Sequence, residues 1–263
     1  VEPSELAALE HANMLEAMTS FCANVAGSRV ERADGVAIIA TGLPFVLFNQ
    51  IVIDGDATSS AAVAAAVRVM RERGSPFVVN LRAGIDDRFV PLTADLGLAP
   101  GSEDPWMPGM AWHPLPPAEA EPDLPGHEIR RVVDAAGLDD HLKTGAAAFG
   151  LPEDILRAVV VPALIDRPDT AIYVGYTDGA PVSTGLGART DRTIGVYNIA
   201  TIEPARGRGY GAAMTRRVVA DGVAAGCDVA ILQASEMGLP VYEHLGFRTV
   251  VEYIGYIEQP ARA

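Results

Sequence analysis

Cysteine is scarce in this chain of 263 residues: only Cys22 and Cys227 are present, far apart in sequence. Two such thiols cannot build a disulfide framework and do not form a metal-binding pair, so the expectation is two buried free thiols in a reducing compartment. Basic residues are also few, with 20 Lys and Arg against 34 Asp and Glu, for a net charge of −14. A broadly negative field repels phosphate backbones and argues against general nucleic-acid binding. Long apolar runs are missing as well. The longest, Val36 to Phe48, is interrupted by Gly42 and Pro44 and is too short to cross a bilayer. No basic segment followed by an apolar one stands at Val1–Glu5, so no signal peptide is expected and the chain reads as cytoplasmic. The five histidines, His11, His113, His127, His141 and His244, show no ligand spacing, so no metal is expected.

Apolar residues make up 49% of the chain, ample for a core, and exclude disorder as its overall state. One composition shift divides it. The stretch from Pro114 to Gly126 is crowded with proline and acids, and proline favours extended backbone without donors. It reads as a linker (114–126) between an N-terminal domain, 1–113, and a C-terminal domain, 127–259.

The C-terminal part has the clearer pattern. A strand at Glu128–Val133 leads to Asp134, a candidate N-cap for a helix reaching about Ala148, and a second helix is expected from Pro152. Asp178-Gly179 suits a two-residue hairpin turn between strands at Ile172–Tyr176 and Val182–Ala188. A strand at Thr193–Ile202, a helix at Gly209–Ala225, a strand at Val229–Gln233, a brief helix through Tyr242 and a strand at Thr249–Ile257 complete the order β-α-α-β-β-β-α-β-α-β.

Arg206-Gly207-Arg208-Gly209-Tyr210-Gly211 lies between the long strand and its helix. Glycines let a ligand approach the backbone, and N–H groups at a helix start attract anions such as a pyrophosphate. No Gly-Lys-Ser/Thr follows, so this is not a Walker loop. Farther on stands Tyr242-Glu243-His244-Leu245-Gly246-Phe247. Arg-x-x-Gly-x-Gly on a strand–helix turn, then a strand, then Tyr-x-x-x-Gly-Phe resembles the GCN5-related N-acetyltransferase (GNAT) family over about 127–259.

The resemblance implies an α/β chain with the acyl-CoA N-acyltransferase (GNAT) fold, a mixed central sheet flanked by helices. It implies acetyl-CoA as cosubstrate and an amine acceptor that attacks the thioester directly. Arg206, Gly207, Arg208, Gly209, Tyr210, Gly211 and Ala212 would hold the pyrophosphate, and Ile199, Ala200 and Thr201 would pair with the pantetheine arm. Tyr242 stands at the position of the general acid, and a phenol of pKa about 10 can protonate a thiolate whose thiol has a pKa of about 8.5. Ser235 replaces an asparagine common in relatives and can still bond the pantetheine. Phe149 falls where the acceptor cleft borders the helix end. The positions matching the family's general base are Gly195 and Ala230, which cannot take a proton; Glu203 and Tyr197 share strand parity with Thr201 and are the remaining substitutes. A CoA-binding regulatory module and an acyltransferase with a larger acyl-CoA are the competing readings, and a homodimer is an open state.

The first half repeats the second. Asn49–Ile53 aligns on Asn198–Ile202 and Pro91–Leu98 on Pro240–Phe247, both at an offset of 149, and Arg73–Val79 aligns on Ala225–Ile231 at 152. Where the glycine-rich turn should stand is Asp54-Gly55-Asp56-Ala57-Thr58, and Thr93 replaces the tyrosine. Carboxylates repel a pyrophosphate and threonine is no acid for a thiolate. The expectation is two GNAT-like halves, the first degenerate. Trp106, Met107, Met110 and Trp112 read as a strand packing its apolar face rather than as a cleft lining.

Overall fold

A computed structural model describes residues 1–101, 106–117 and 124–259; part of the proline-rich stretch, 118–123, therefore lies outside the described residues. The chain opens with helix α1 (Pro3–Cys22) and the hairpin β1 (Arg29–Ala33) and β2 (Val36–Ala40). Next come β3 (Asn49–Ile53), α2 (Ser60–Arg73), β4 (Val78–Arg82), the short α3 (Val90–Asp95), β5 (Leu98–Pro100) and β6 (Trp106–Trp112). The second half supplies β7 (His127–Arg131), α4 (Ala135–Phe149), α5 (Glu153–Val159), β8 (Thr170–Thr177), β9 (Ala180–Thr190) and β10 (Thr193–Thr201). It ends with α6 (Tyr210–Ala224), β11 (Val229–Gln233), α7 (Leu239–Leu245) and β12 (Arg248–Glu258).

Local chemistry explains these boundaries. The Asp134 carboxylate accepts from the Gly137 N–H at 2.8 Å, the cap expected for α4, and Gly150 ends the helix in the left-handed conformation. Pro152 caps α5 rather than joining it. Asp178 and Gly179 both have positive φ, 51° and 81°, as a two-residue turn between twisted strands requires. Asp34 and Gly35 do the same between β1 and β2.

The chain forms two compact units that are not consecutive in sequence. One combines Val1–Ala17 with Met110–Val250, the other Met18–Gly109 with Val251–Ala263. These boundaries differ from the contiguous 1–113 and 127–259, and the cause is an exchange of segments. In the 18–109 unit the strand beside β4 is β12, from the end of the chain, with Tyr253 opposite Arg82 and Ile257 opposite Val78. In the 110–250 unit the neighbour of β11 is β6.

Within the 110–250 unit the strand order is β6-β11-β10-β9-β8-β7, with β10 and β11 parallel and the β7–β10 run antiparallel. Met214 and Val218 of α6 pack with Ile194, Val196 and Leu232 on one face of this sheet. Met110 is buried in the same core and Trp112 packs against Phe247 at 5.4 Å between ring centroids, so these side chains do serve packing. Within the 18–109 unit the order is β1-β2-β3-β4-β12, with β3 and β4 parallel, and α2 buries Val63, Val67 and Met70 against Ile51, Val79 and Leu81. The same succession thus occurs twice: antiparallel pair, helix, parallel strand, then a short helix with proline in its first turn.

Candidate active site

Strands β10 and β11 part company early. Their ladder covers only Thr193–Gly195 against Val229–Ile231. Just beyond it the register between β10 and β9 shifts between Tyr197 and Ala200, and Asn198 adopts φ 50°. The Thr184 hydroxyl donates to the Asn198 carbonyl at 2.8 Å and pins this bulge. Past this bulge lies a wedge with a cavity of about 450 Å³, lined by Ile199, Ala200 and Thr201 on β10 and, beyond the end of β11, by Ser235, Gly238 and Tyr242.

The far wall of the cavity is the glycine-rich turn. Gly207 and Gly209 have φ 75° and 84°, a backbone region that costs other residues about 1–2 kcal/mol. Gly209 is the N-cap of α6 and no side chain caps the helix, so its first N–H groups stay available to an anion. Tyr210, Gly211 and Ala212 of this first turn line the cavity, and the Tyr210 ring is anchored by stacking on His127 at 4.2 Å. Arg206 also lines it, while its guanidinium donates to the Thr201 carbonyl at 3.2 Å and the Ala148 carbonyl at 3.1 Å. This ties the turn to the end of α4.

Tyr242 stands at the other end, on α7, with its ring edge-on to Phe247 at 5.9 Å. Burial pushes its phenol up to about 12, which keeps it protonated. Ser235 accepts from the Gly238 N–H at 3.2 Å, and Gly238 is needed there because a Cβ would fall 2.7 Å from the Tyr242 ring.

Of the residues singled out in the sequence, Ile199, Ala200, Thr201, Arg206, Gly207, Gly209, Tyr210, Gly211, Ala212, Ser235 and Tyr242 all line this one cavity, and so does Phe149. Arg208 does not: it is exposed between the two left-handed glycines and outside the lining. Sequence reasoning passed over Met237, Gly238 and Val241, which also line it. Their signal was position, one to five residues before Tyr242, in the turn that enters α7 and on α7 itself. Phe149, Met237 and Val241 are exposed apolar groups at 45%, 68% and 40%, and form an apolar rim. Among the described residues no carboxylate lines the cavity. Glu203 is exposed outside it, and the Tyr197 hydroxyl donates to Asn13 instead. At Gly195 the space for a side chain is already taken: a Cβ would lie 2.0 Å from Asn13 Oδ1.

The equivalent turn of the 18–109 unit is closed. Ser59 caps α2 by accepting from the Ala62 N–H, and the Thr58 hydroxyl lies 2.6 Å from the Gly35 and Gly55 carbonyls. Arg32 holds Asp54 through two bonds of 2.8 and 2.9 Å. Strand β3 pairs with β2 from Asn49 to Ile53 without a bulge, and Asn80 of β4 bonds Gln50 of β3 at 2.7 Å. Thr93, at the tyrosine position, donates to Val90 inside the core.

The chain is similar to a GCN5-related N-acetyltransferase from Kribbella flavida, with a TM-score of 0.70 at 16% identity over 95% of each chain. It is similar to another from Sphaerobacter thermophilus, with a TM-score of 0.64 at 16% identity over 88% of this chain and 83% of that one. A tandem GNAT protein from the clavulanic acid biosynthesis pathway gives 0.60 at 12% identity over 90% and 86%. At these identities the likeness is one of fold. Among curated proteins none matches the sequence. Residues 146–247, which span the wedge, the turn and Tyr242, match the model of the acetyltransferase (GNAT) family, so this segment carries a GNAT domain.

Proposed function

We propose that the 110–250 unit transfers an acetyl group from acetyl-CoA to a primary amine by direct attack on the thioester. The observation that carries this reading is the uncapped N-terminus of α6, with Arg206 beside it, at one end of a wedge that continues to Tyr242. The first N–H groups of α6 and Arg206 would bind the pyrophosphate, and the edge of Ile199–Thr201, which has no strand partner on the β11 side, would take the pantetheine amides. In the transfer the amine nitrogen bonds the acyl carbon, the carbon–sulfur bond breaks, and Tyr242 gives its proton to the departing sulfur. The amine nitrogen loses one proton to solvent, since among the described residues no carboxylate lines the cavity, and the Tyr242 phenolate takes one back from solvent.

The 18–109 unit is read as a copy that kept its fold and lost this chemistry. Its helix start is capped by its own serine, its β2–β3 pairing carries no bulge and its turn is acidic. Cys22 and Cys227 are buried and free, in keeping with a reducing, cytoplasmic setting.

Amine-dependent thiol release from acetyl-CoA, measured over a panel of amines and lost in Tyr242→Phe, tests the reading. The missing carboxylate favours one competitor, a CoA-binding regulatory module, which predicts tight CoA binding and no release with any amine. The apolar rim of Phe149, Met237 and Val241 favours a longer acyl chain, and a series of acyl-CoA lengths separates the two.

A further inference from the structure

The ladder between β10 and β11 stops at Gly195 and Ile231, four residues before Ile199, the first residue of β10 to line the cavity, so beyond that pair no ladder fixes the separation of the two strand ends. Tyr197 and Gln233 each stand two residues past the last pair, Gly195 and Ile231, and by strand alternation share its face. That face is turned away from α6: Ile194 and Val196 pack with Met214, whereas Gly195 lies against Asn13.

One helix holds both strand ends. The Tyr197 hydroxyl donates to Asn13 Oδ1 at 2.7 Å, and the Gln233 amide donates to Glu10 Oε1 at 2.5 Å. Positions 10 and 13 are three apart, hence neighbours on one face of α1. Asn13 also donates to the Ala188 carbonyl at 3.1 Å and to Thr190 Oγ1 at 3.2 Å on β9. Nearer the helix start, Glu5 meets Arg192 at 3.3 Å, and Arg192 in turn holds Asp228 ahead of β11. Leu6 and Leu9 fill in with Val229, Ile231 and Tyr197. Glu10 and Asn13 are fully buried. Burial and the Glu10 charge raise the Tyr197 phenol well above its usual range, so it remains a donor.

We propose that α1 is a brace that sets the width of the wedge, with Asn13 and Glu10 as its positioning residues on β10 and β11. A site whose walls share no ladder binds tightly only if other contacts fix those walls before the ligand arrives. The inference rests on the wedge being the acyl-CoA site.

Tyr197→Phe removes one hydroxyl and leaves the ring; Glu10→Gln keeps the shape and removes the charge. Acetyl-CoA affinity of the full chain is read by titration calorimetry, alongside thermal melting and amine-dependent turnover. The brace predicts that Tyr197→Phe weakens acetyl-CoA binding about tenfold, as expected for one buried hydrogen bond, and the double variant more. It also predicts that kcat at saturating acetyl-CoA changes less than about twofold, so the loss falls on KM. Unchanged affinity with a lowered melting temperature in Tyr197→Phe makes α1 a packing element only and overturns the proposal. Absence of acetyl-CoA binding by the unaltered chain overturns the site reading itself, a result distinct from any difference between variants.

Discussion

The Tyr197 hydroxyl lies 2.7 Å from the side-chain oxygen of Asn13, a residue 184 positions away in sequence. Between them there is no room for a side chain at residue 195. A methyl group there would fall 2.0 Å from Asn13 Oδ1 and 2.4 Å from the Tyr197 ring. Gly195→Ala is therefore expected to lower stability by about 1–3 kcal/mol, the range for overpacking a filled interior. Chemical denaturation of the two proteins checks it, and equal midpoints would refute the packing described.

The two arginines of the glycine-rich turn should behave differently. Arg206 lines the cavity and bonds the Thr201 and Ala148 carbonyls, whereas Arg208 is exposed outside the lining. Arg206→Ala is expected to weaken acetyl-CoA binding about tenfold, and Arg208→Ala less than about threefold, with that smaller loss vanishing at high salt. Titrations at two ionic strengths measure both.

The pH dependence of turnover reports on Tyr242. Burial penalises the phenolate and pushes its pKa up to about 12, so the proton to be donated stays in place through neutral and moderately alkaline pH. Thiol release should show no alkaline loss due to Tyr242 below about pH 11. Tyr242→Phe should lower kcat by about a hundredfold or more and leave acetyl-CoA affinity unchanged. An alkaline limb with a midpoint near 9 to 10 that disappears in Tyr242→Phe would contradict this.

Acid stability should depend on His141. It is fully buried on α4, with Nδ1 at 3.0 Å from the Tyr173 carbonyl and Nε2 without a partner, and desolvation pushes its pKa down to about 4. The unfolded chain, with an imidazole pKa near 6.5, takes up the proton first. The folded state therefore keeps its full stability above about pH 6.5 and loses on the order of 3 kcal/mol from this group as the pH falls to about 4. Denaturation of the parent and His141→Gln at pH 7 and 4.5 isolates the contribution: the variant should show the smaller loss.

Elements set by local chemistry were legible in the sequence. Asp134 caps α4, Asp178-Gly179 turns the hairpin, and the glycine pattern opens α6 where the turn chemistry places it. Much of the wall of the wedge was legible too, because Ile199–Thr201, Arg206, Gly207, Gly209–Ala212 and Tyr242 sit within continuous motifs, although Arg208 of the same motif stands outside it. What the sequence concealed depends on distant partners. The part played by Glu10 and Asn13 rests on Gln233 and Tyr197, 223 and 184 positions away, and nothing in the composition of α1 announces those bonds. The exchange of β6 and β12 is hidden for the same reason, since an apolar strand reads alike whichever sheet receives it. The repeat even misled by similarity: Asn49 and Asn198 align, but Asn198 sits in the left-handed region at a bulge, while the Asn49 side chain closes the 41–45 loop by bonding Thr41, Gly42, Leu43 and Phe45.

A calorimetric titration of the full chain with acetyl-CoA, repeated on Arg206→Ala, tests most directly that one wedge carries the function. The account predicts one acetyl-CoA per chain, with binding weakened by the Arg206 substitution because the only open helix start belongs to the 110–250 unit among the two equivalent turns described. Two equal sites per chain, or one site indifferent to Arg206, would contradict it.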